Sequence, residues 1–282
     1  MCIRDRHTTL ATIDERSKAK ADLEFTDETG VTHRLWIETD EEIIAKLVAD
    51  FADRKLYIAD GHHRYETALN YRNYCRENGI SKPGDPQDFQ MIYLVDMEHP
   101  GLVVFPTHRL VRDLPNFDKE AVLEKCSEFF YIDEKEGTDT MEEDLKKLYD
   151  EDKKAFGFYC GKGEWFLLTL KNIDIMSQML PNVSKASQSL DVSVLHTLIL
   201  EKIFGIDKEN MAKQINLTYT KFFTEAIDGV DKGEFQCSFV LNPTRVTEIR
   251  DVAAAGEKMP QKSTYFYPKM ITGMVMNNLG VD

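Results

Sequence analysis

Ala59-Asp60-Gly61-His62-His63-Arg64-Tyr65-Glu66-Thr67-Ala68-Leu69 is the stretch on which the fold reading of this chain turns. Before it, Leu56 to Ile58 is a short apolar run that reads as a strand. After it, from Arg64 to Asn78, Tyr65, Ala68, Leu69 and Cys75 fall roughly on one helical face, and Gly79 ends the run. The motif thus lies where a strand hands over to a helix. A glycine at that point lets a ligand approach the backbone, and the first N–H groups of the helix, at the positive end of its dipole, favour an anion such as phosphate. Arg64 adds a two-pronged donor for phosphate oxygens, while His62 and His63 donate to phosphate or move protons near neutral pH. Asp60 accepts a proton, binds a metal ion or caps the helix. The competing reading is a plain strand-to-helix turn with Asp60 as N-cap and two polar loop histidines. Zinc is disfavoured, because adjacent side chains rarely converge on one ion and no further ligand lies at helical spacing.

Outward from the motif, the pattern is mixed α and β. Leu23 to Phe25, the turn Asp27-Glu28-Thr29-Gly30 and Val31 to Ile37 read as a hairpin. Asp40, Glu41 and Glu42 offer a cap and an acidic first turn to a helix carrying Ile43, Leu47, Val48 and Phe51, expected to pack on a sheet. Ser81 to Asp88 is a loop. Met91 to Met97 and Leu102 to Phe105, flanking His99-Pro100-Gly101, predict a second hairpin with both strands well buried. From Phe117 to Leu148 both ends look helical around a charged middle, Asp133 to Asp139, which reads as a solvated face or loop. Ala155 to Cys160, Gly161-Lys162-Gly163 and Glu164 to Leu170 form the clearest hairpin signal in the chain. Leu190 to Phe204 reads as a helix, and a later one carries Phe222, Phe223, Ala226 and Ile227 before Gly229. Phe235, Cys237, Phe239 and Leu241 alternate as a strand. Asn242-Pro243-Thr244 then caps a helix closed by Gly256, and Ile271 to Met276 reads as a C-terminal strand.

Composition narrows the function. With 42% hydrophobic residues in 282, the chain can build real cores. Its net charge of -14 repels a phosphate backbone in bulk and, with no basic recognition helix, disfavours DNA binding or nuclease action. A small-molecule ligand fits better. No apolar run approaches the roughly 20 residues needed to cross a bilayer, and no secretory leader is visible, so the expectation is a cytoplasmic protein without a membrane partner. The five cysteines are scattered, as reduced packing thiols are.

Further along the chain, ADGHHRYETAL resembles the second conserved box of the ParB and sulfiredoxin-like superfamily. Leu190 to His196, Ala253 to Pro260 and Pro260 to Lys269 resemble the bacterial family called domain of unknown function 1015. The superfamily includes free-serine kinases and holds nucleotide phosphates at a Gly-x-x-Arg turn. The resemblance therefore implies ATP or ADP with Mg2+, a small-molecule substrate, and Gly61, His62, His63 and Arg64 as phosphate contacts. Asp60, His62 and His63 are the catalytic candidates, with no protein-held metal cluster. It also implies a further upstream block carrying an acidic catalytic residue. Met1-Cys2-Ile3-Arg4-Asp5-Arg6 matches one reading frame of a common sequencing adaptor, so residues 1–6 read as an artefact and the chain as a fragment lacking part of its site.

Secondary candidates for substrate binding are His108 and Arg109 at a strand end, and Lys262, Ser263 and Thr264 in a rigid loop between two prolines. Surface charge at the first and an aromatic plug at the second are the simpler alternatives. His196, on an apolar helix face, reads as a core or interface histidine. The expected fold is α+β with mixed sheets: a truncated ParB-like domain over 7–116 and a second α+β domain over 117–282, folded so that the 262–264 loop returns toward Gly61. The leading functional expectation is a nucleotide-dependent phosphotransferase acting on free serine or a similar hydroxy compound. A non-catalytic nucleotide-binding regulatory module is its rival.

Overall fold

Turn chemistry between β-prone runs builds the start of the chain. In a computed structural model of the protein, which describes residues 2–3, 8–267, 269, 271 and 273–277, β1 (Cys2–Ile3) and α1 (Thr8–Ser17) precede the expected hairpin of β2 (Leu23–Thr26) and β3 (Thr32–Leu35). Asp27 organises its turn. The carboxylate accepts from the N–H of Thr29 at 2.8 Å and of Val31 at 3.1 Å, with Gly30 left-handed at φ 84°. The Thr29 hydroxyl and then His33 hold that carboxyl well below the usual range. Asp40 caps α2 (Glu41–Phe51) as its sequence predicts, accepting from Glu42 N at 2.9 Å and Ile43 N at 3.2 Å.

Two expectations in this region fail. Leu56 to Ile58 is not a strand; among the described residues Tyr57 makes only an isolated bridge, a pairing too short to be a ladder. The hairpin around His99 does not form either. β4 (Val95–Asp96) pairs in parallel with β1, whereas β5 (Val103–Phe105) pairs antiparallel with β12 (Tyr265–Tyr267). Met91, Ile92 and Tyr93 are exposed rather than buried. α3 (His62–Glu77) does form, with Cys75 buried and Gly79 left-handed beyond its end.

The chain divides into two compact units, Met1–Leu102 with Met270–Asp282, and Val103–Lys269. Among the described residues of the first, only Thr9, Cys75 and Ser81 are buried. α2 buries no residue outright; Leu47, Val48 and Phe51 instead line an apolar cleft with α1 and the stretch from Ile92 to Val95.

The second unit carries the core. Its six-stranded antiparallel sheet runs β10 (Leu217–Thr220), β6 (His108–Val111), β11 (Cys237–Val240), β8 (Ala155–Tyr159), β9 (Glu164–Leu170), β7 (Phe130–Glu136). The β8–β9 hairpin is the one its glycine-bearing turn predicts. The charged stretch from Asp133 is part of edge strand β7, where exposed charge guards an unpaired ladder. Both faces of the sheet are covered, which is why β8 and β11 are buried along their length. On one side Phe156, Phe158 and Phe239 pack with α4 (Lys119–Cys126) and with the helical stretch formed by α8 (Asp191–Val194) and a π-helical segment, Leu195–Glu201. On the other, Trp165 and Leu167 pack with α5 (Met141–Asp150) and α10 (Phe223–Asp231). Shorter helices α6 (Ile175–Met179), α7 (Lys185–Gln188) and α9 (Lys208–Lys213), with α11 (Val246–Ala254), complete an α+β architecture with mixed sheets.

Local corrections follow from packing. Gly229 does not end α10 but lies inside it, where any Cβ would come within 2.8 Å of the Phe235 ring. Arg245, not Asn242 to Thr244, is the N-cap of α11; its N–H donates to the Glu248 carboxylate at 2.8 Å, and the Thr244 hydroxyl donates to the Ser263 carbonyl at 2.9 Å. No strand forms among the described residues of Ile271 to Met276, where Gly273 sits in a turn; Thr272 lies outside the described residues. Cys75, Cys126 and Cys237 are buried free thiols, and burial pushes the Cys126 and half-buried Cys160 thiols up to about 12. Among the described residues no helix is long and apolar enough to cross a membrane.

Gly157, in the middle of β8, leaves no room for a side chain: an added Cβ would stand 2.6 Å from Val240 Cγ2 and 2.9 Å from Met141 Sδ. Gly157→Ala is expected to destabilise the second unit by about 1–3 kcal/mol, the usual scale of overpacking. Urea unfolding followed by fluorescence checks this, and an unchanged midpoint would contradict the packing described.

Candidate functional site

Gly61 is the N-cap of α3, at φ 85° and ψ 27°, and no side chain caps the helix. Asp60 therefore does not take the capping role that one reading of the sequence gives it. Its carboxylate accepts from the Gly61 N–H at 2.8 Å. The reason is conformational: a side-chain cap needs an extended N-cap residue, and this position is left-handed, which glycine tolerates and aspartate resists. The first helical hydrogen bond runs from Tyr65 N–H to the Gly61 carbonyl at 3.0 Å. The N–H groups of His62, His63 and Arg64 precede it, at the positive end of a 16-residue helix.

Arg64 folds back over this turn. A Cβ added at Gly61 would meet its guanidinium at 3.0 Å (Nη2), 3.1 Å (Nε) and 3.2 Å (Cζ), so the absence of a side chain at 61 is what lets the cation lie there. His62 is half-buried. His63 is fully exposed, with Nδ1 3.6 Å from Glu66 Oε2. Among the described residues no group of three or more His, Cys, Asp or Glu side chains gathers to hold a metal ion.

The second unit brings together several of the remaining candidates. β6 places Arg109 wholly out of solvent between Tyr219 of β10 and Phe239 of β11. The guanidinium donates through Nη1 to the Thr107 carbonyl, and through Nη2 to the Lys262 carbonyl at 3.2 Å and to His196 Nε2 at 3.1 Å. It lies 5.4 Å from the Tyr219 ring centroid, and among the described residues it forms no ion pair with a carboxylate. A guanidinium has only donors, so His196 accepts through Nε2 and carries its proton on Nδ1. Lys262 is itself exposed and left-handed (φ 54°), Ser263 is buried and Thr264 half-buried. His108 is buried too, accepting from Leu241 N–H at 3.4 Å. Gly61 and the 262–264 loop belong to different units.

Burial brings Arg109 down to about 10. Burial first, and the Arg109 charge second, pull His108 down to about 4 and His196 well below the ordinary histidine value. Both histidines are therefore neutral at pH 7.

Sequence reasoning assigned no role to a cavity of about 500 Å³ in the second unit, walled in part by Ser193, His196, Thr197, Glu201, Lys208 and Glu257. The signal was present: Ser193, Thr197 and Glu201, four residues apart, break the apolar pattern of the Leu190–Phe204 run.

The family model described as Protein of unknown function (DUF1015) matches residues 1–193. The chain belongs to this family. No curated protein gives a significant match. Among solved structures it is similar to a conserved hypothetical protein from Pyrococcus furiosus, at 18% identity over 74% of this chain and 68% of that one, with a TM-score of 0.37. It is also similar to a free serine kinase in complex with AMP, at 13% identity over 94% and 82% of the two chains and a TM-score of 0.39. A mutant free serine kinase in complex with ADP matches at 13% identity over 82% and 81%, again at 0.39.

In this DUF1015 member the buried histidines should make the fold less stable in acid. A histidine whose folded value is depressed contributes stability that is present above its unfolded value of 6.5 and is lost as pH falls toward the folded one. His108 alone should remove about 3 kcal/mol by pH 4, and His196 acts in the same direction. Urea unfolding at pH 7 and pH 4 measures the loss. His108→Gln, which keeps an acceptor for Leu241 N–H, should reduce it by about 3 kcal/mol; an unaltered pH dependence would refute the assignment.

Proposed function

We propose that the protein binds nucleotide phosphates on the Asp60–Arg64 turn and transfers a phosphoryl group to a small hydroxy compound such as free serine. The observation that carries this reading is the uncapped start of α3 at left-handed Gly61, with the Arg64 guanidinium folded over it. Backbone N–H groups, a helix dipole and a cation converge on one small volume, which is the chemistry a phosphate group needs. The resemblance of ADGHHRYETAL to the ParB and sulfiredoxin-like box supports the same assignment.

Each residue then has a part. The N–H groups of His62, His63 and Arg64 receive phosphate oxygens, and the Arg64 fork holds the transferring group. The acceptor oxygen forms the new P–O bond as the bond to the nucleotide's leaving oxygen breaks. The acceptor's proton passes to exposed His63, to His62 or to Asp60. Magnesium in such sites is held mainly by phosphates with one or two carboxylates, and Asp60 is the carboxylate beside the turn. When bound, the ion supplies neutralisation of phosphate charge.

Isothermal calorimetry of the intact protein with ATP and ADP, with and without Mg2+, tests the binding step. Arg64→Ala should weaken binding about tenfold or more, the loss of one charge-assisted contact. Gly61→Ala should weaken it as well, since it forces a strained left-handed backbone costing about 1–2 kcal/mol and drives a Cβ against Arg64. No binding of either nucleotide would remove the basis of the proposal. Phosphoamino-acid detection by mass spectrometry after incubation with ATP tests transfer; nucleotide binding without transfer to any amino acid would favour the regulatory-module reading instead.

A further inference from the structure

The cavity of the second unit is built on a helix whose backbone is not α-helical. From Leu195 to Glu201 the helix is π-helical, and Lys202 N–H reaches the Thr197 carbonyl at 3.2 Å and Phe204 N–H the Ile199 carbonyl at 3.0 Å, each spanning five residues. Segments of this kind are rare and concentrate at functional positions. The geometric effect is specific. His196 and Glu201, five apart, stand one turn apart, where an α-helix would set them about 140° around its axis. Both consequently face the same cavity, with Ser193 and Thr197 beside them.

Three further observations describe what that cavity would receive. Ser193 is only 5% exposed, lines the cavity and makes no hydrogen bond through its hydroxyl among the described residues. Glu257 is fixed by three neutral donors: Ser184 N–H at 2.6 Å, the Ser184 hydroxyl at 2.7 Å and the Ser187 hydroxyl. The hydroxyls of Ser187 and Ser184, with that N–H, hold its carboxyl below the usual range, so it is a fixed anion. Neither Glu257 nor Glu201 forms an ion pair with a lysine or arginine among the described residues. Burial pushes the Glu201 carboxyl up, with the Lys208 charge acting the other way; a cation arriving beside it would relieve that penalty. His196 adds no opposing charge, because burial first and the Arg109 charge at its Nε2 second keep the ring neutral.

Leu180, Val183, Met211 and Pro260 supply an apolar part of the wall. Lys208 and Lys258 also line the cavity and are exposed, whereas Glu257 is held in place by its serine bonds and Glu201 is half-buried. The volume of about 500 Å³ suits a small organic molecule rather than a bare ion. We propose that this cavity is a binding site for a small alkylammonium compound, its ammonium group held by Glu201, Glu257 and the Ser193 hydroxyl and its hydrocarbon part against Leu180, Val183 and Met211. The site goes beyond the phosphate-binding reading of the Gly61 turn and does not rest on it.

Calorimetric titration of the intact protein with n-butylamine, 1,4-diaminobutane, 1-butanol and norvaline, all without nucleotide, tests the site separately from phosphate binding. The amines should bind about tenfold or more tightly than butanol, as expected where an ammonium meets fixed carboxylates. Glu201→Gln should abolish that preference while the far-UV circular dichroism and melting temperature stay at wild-type values. Glu257→Gln disturbs the Ser184 and Ser187 bonds and risks misfolding, so Glu201→Gln is the deciding variant. Equal binding of butanol and butylamine, tighter binding of norvaline than of the amines, or an unaffected Glu201→Gln protein would each overturn the proposal.

Discussion

A positive charge wholly out of solvent, with no ion pair to a carboxylate among the described residues, constrains everything near it, and in the second unit that charge is Arg109. Taking a guanidinium out of water costs several kcal/mol unless its donors are met, and here they are met only by neutral groups. The carbonyls of Thr107 and Lys262, the unprotonated nitrogen of His196 and the face of Tyr219 surround it. Each partner is fixed in turn. His196 must keep its proton on Nδ1, which sets what it shows to the cavity. The chain at Lys262 must turn left-handed to aim a carbonyl inward, and three residues later it enters β12 against β5. Among the described residues Nε of Arg109 and the hydroxyls of Tyr219 and Ser263 find no partner, so the cluster holds together at a cost. Its hold is geometric: one strand residue ties the sheet, the π-helical segment and the loop after α11 to each other.

What the sequence reveals of this arrangement depends on how far each signal reaches. The β8–β9 hairpin, the Asp40 cap and α3 rest on residues a few positions apart, and each is visible without the structure. β4 and β5 look like neighbours in sequence because a Pro-Gly turn joins them, yet each pairs with a strand from a distant part of the chain. The charged part of β7 reads as a solvated face or loop because its alternation is weak. It becomes a strand through a seven-residue ladder with β9, whose register no local pattern encodes. Gly229 shows the same limit, since a glycine that ends helices elsewhere is here required by the Phe235 ring beside it.

The candidate sites divide in the same way. Gly61 and Arg64 are legible because a glycine before a helix and an arginine three residues on act through local backbone geometry. Asp60 misleads because the capping role passes to the left-handed glycine after it. The cavity residues are present in the sequence as polar breaks in an apolar run, but α-helical spacing does not unite His196 with Glu201. Only the π-helical hydrogen bonding does, and no composition rule announces it.

The left-handed start of α3 and the π-helical segment both depart from ordinary helix geometry, and the two proposed sites have opposite electrostatic character. At α3 the ligand we propose is an anion entering a protein whose net charge is -14, so the long-range field works against it and affinity must come from short, preorganised contacts. At the π-helical cavity the guest we infer is a cation, which the same field draws in, and fixed carboxylates then need only discriminate between ammonium and neutral head groups. A strongly acidic surface thus does not argue against a phosphate site. It requires that such a site be built from backbone donors at a helix start, and Gly61 is the residue whose conformation supplies them.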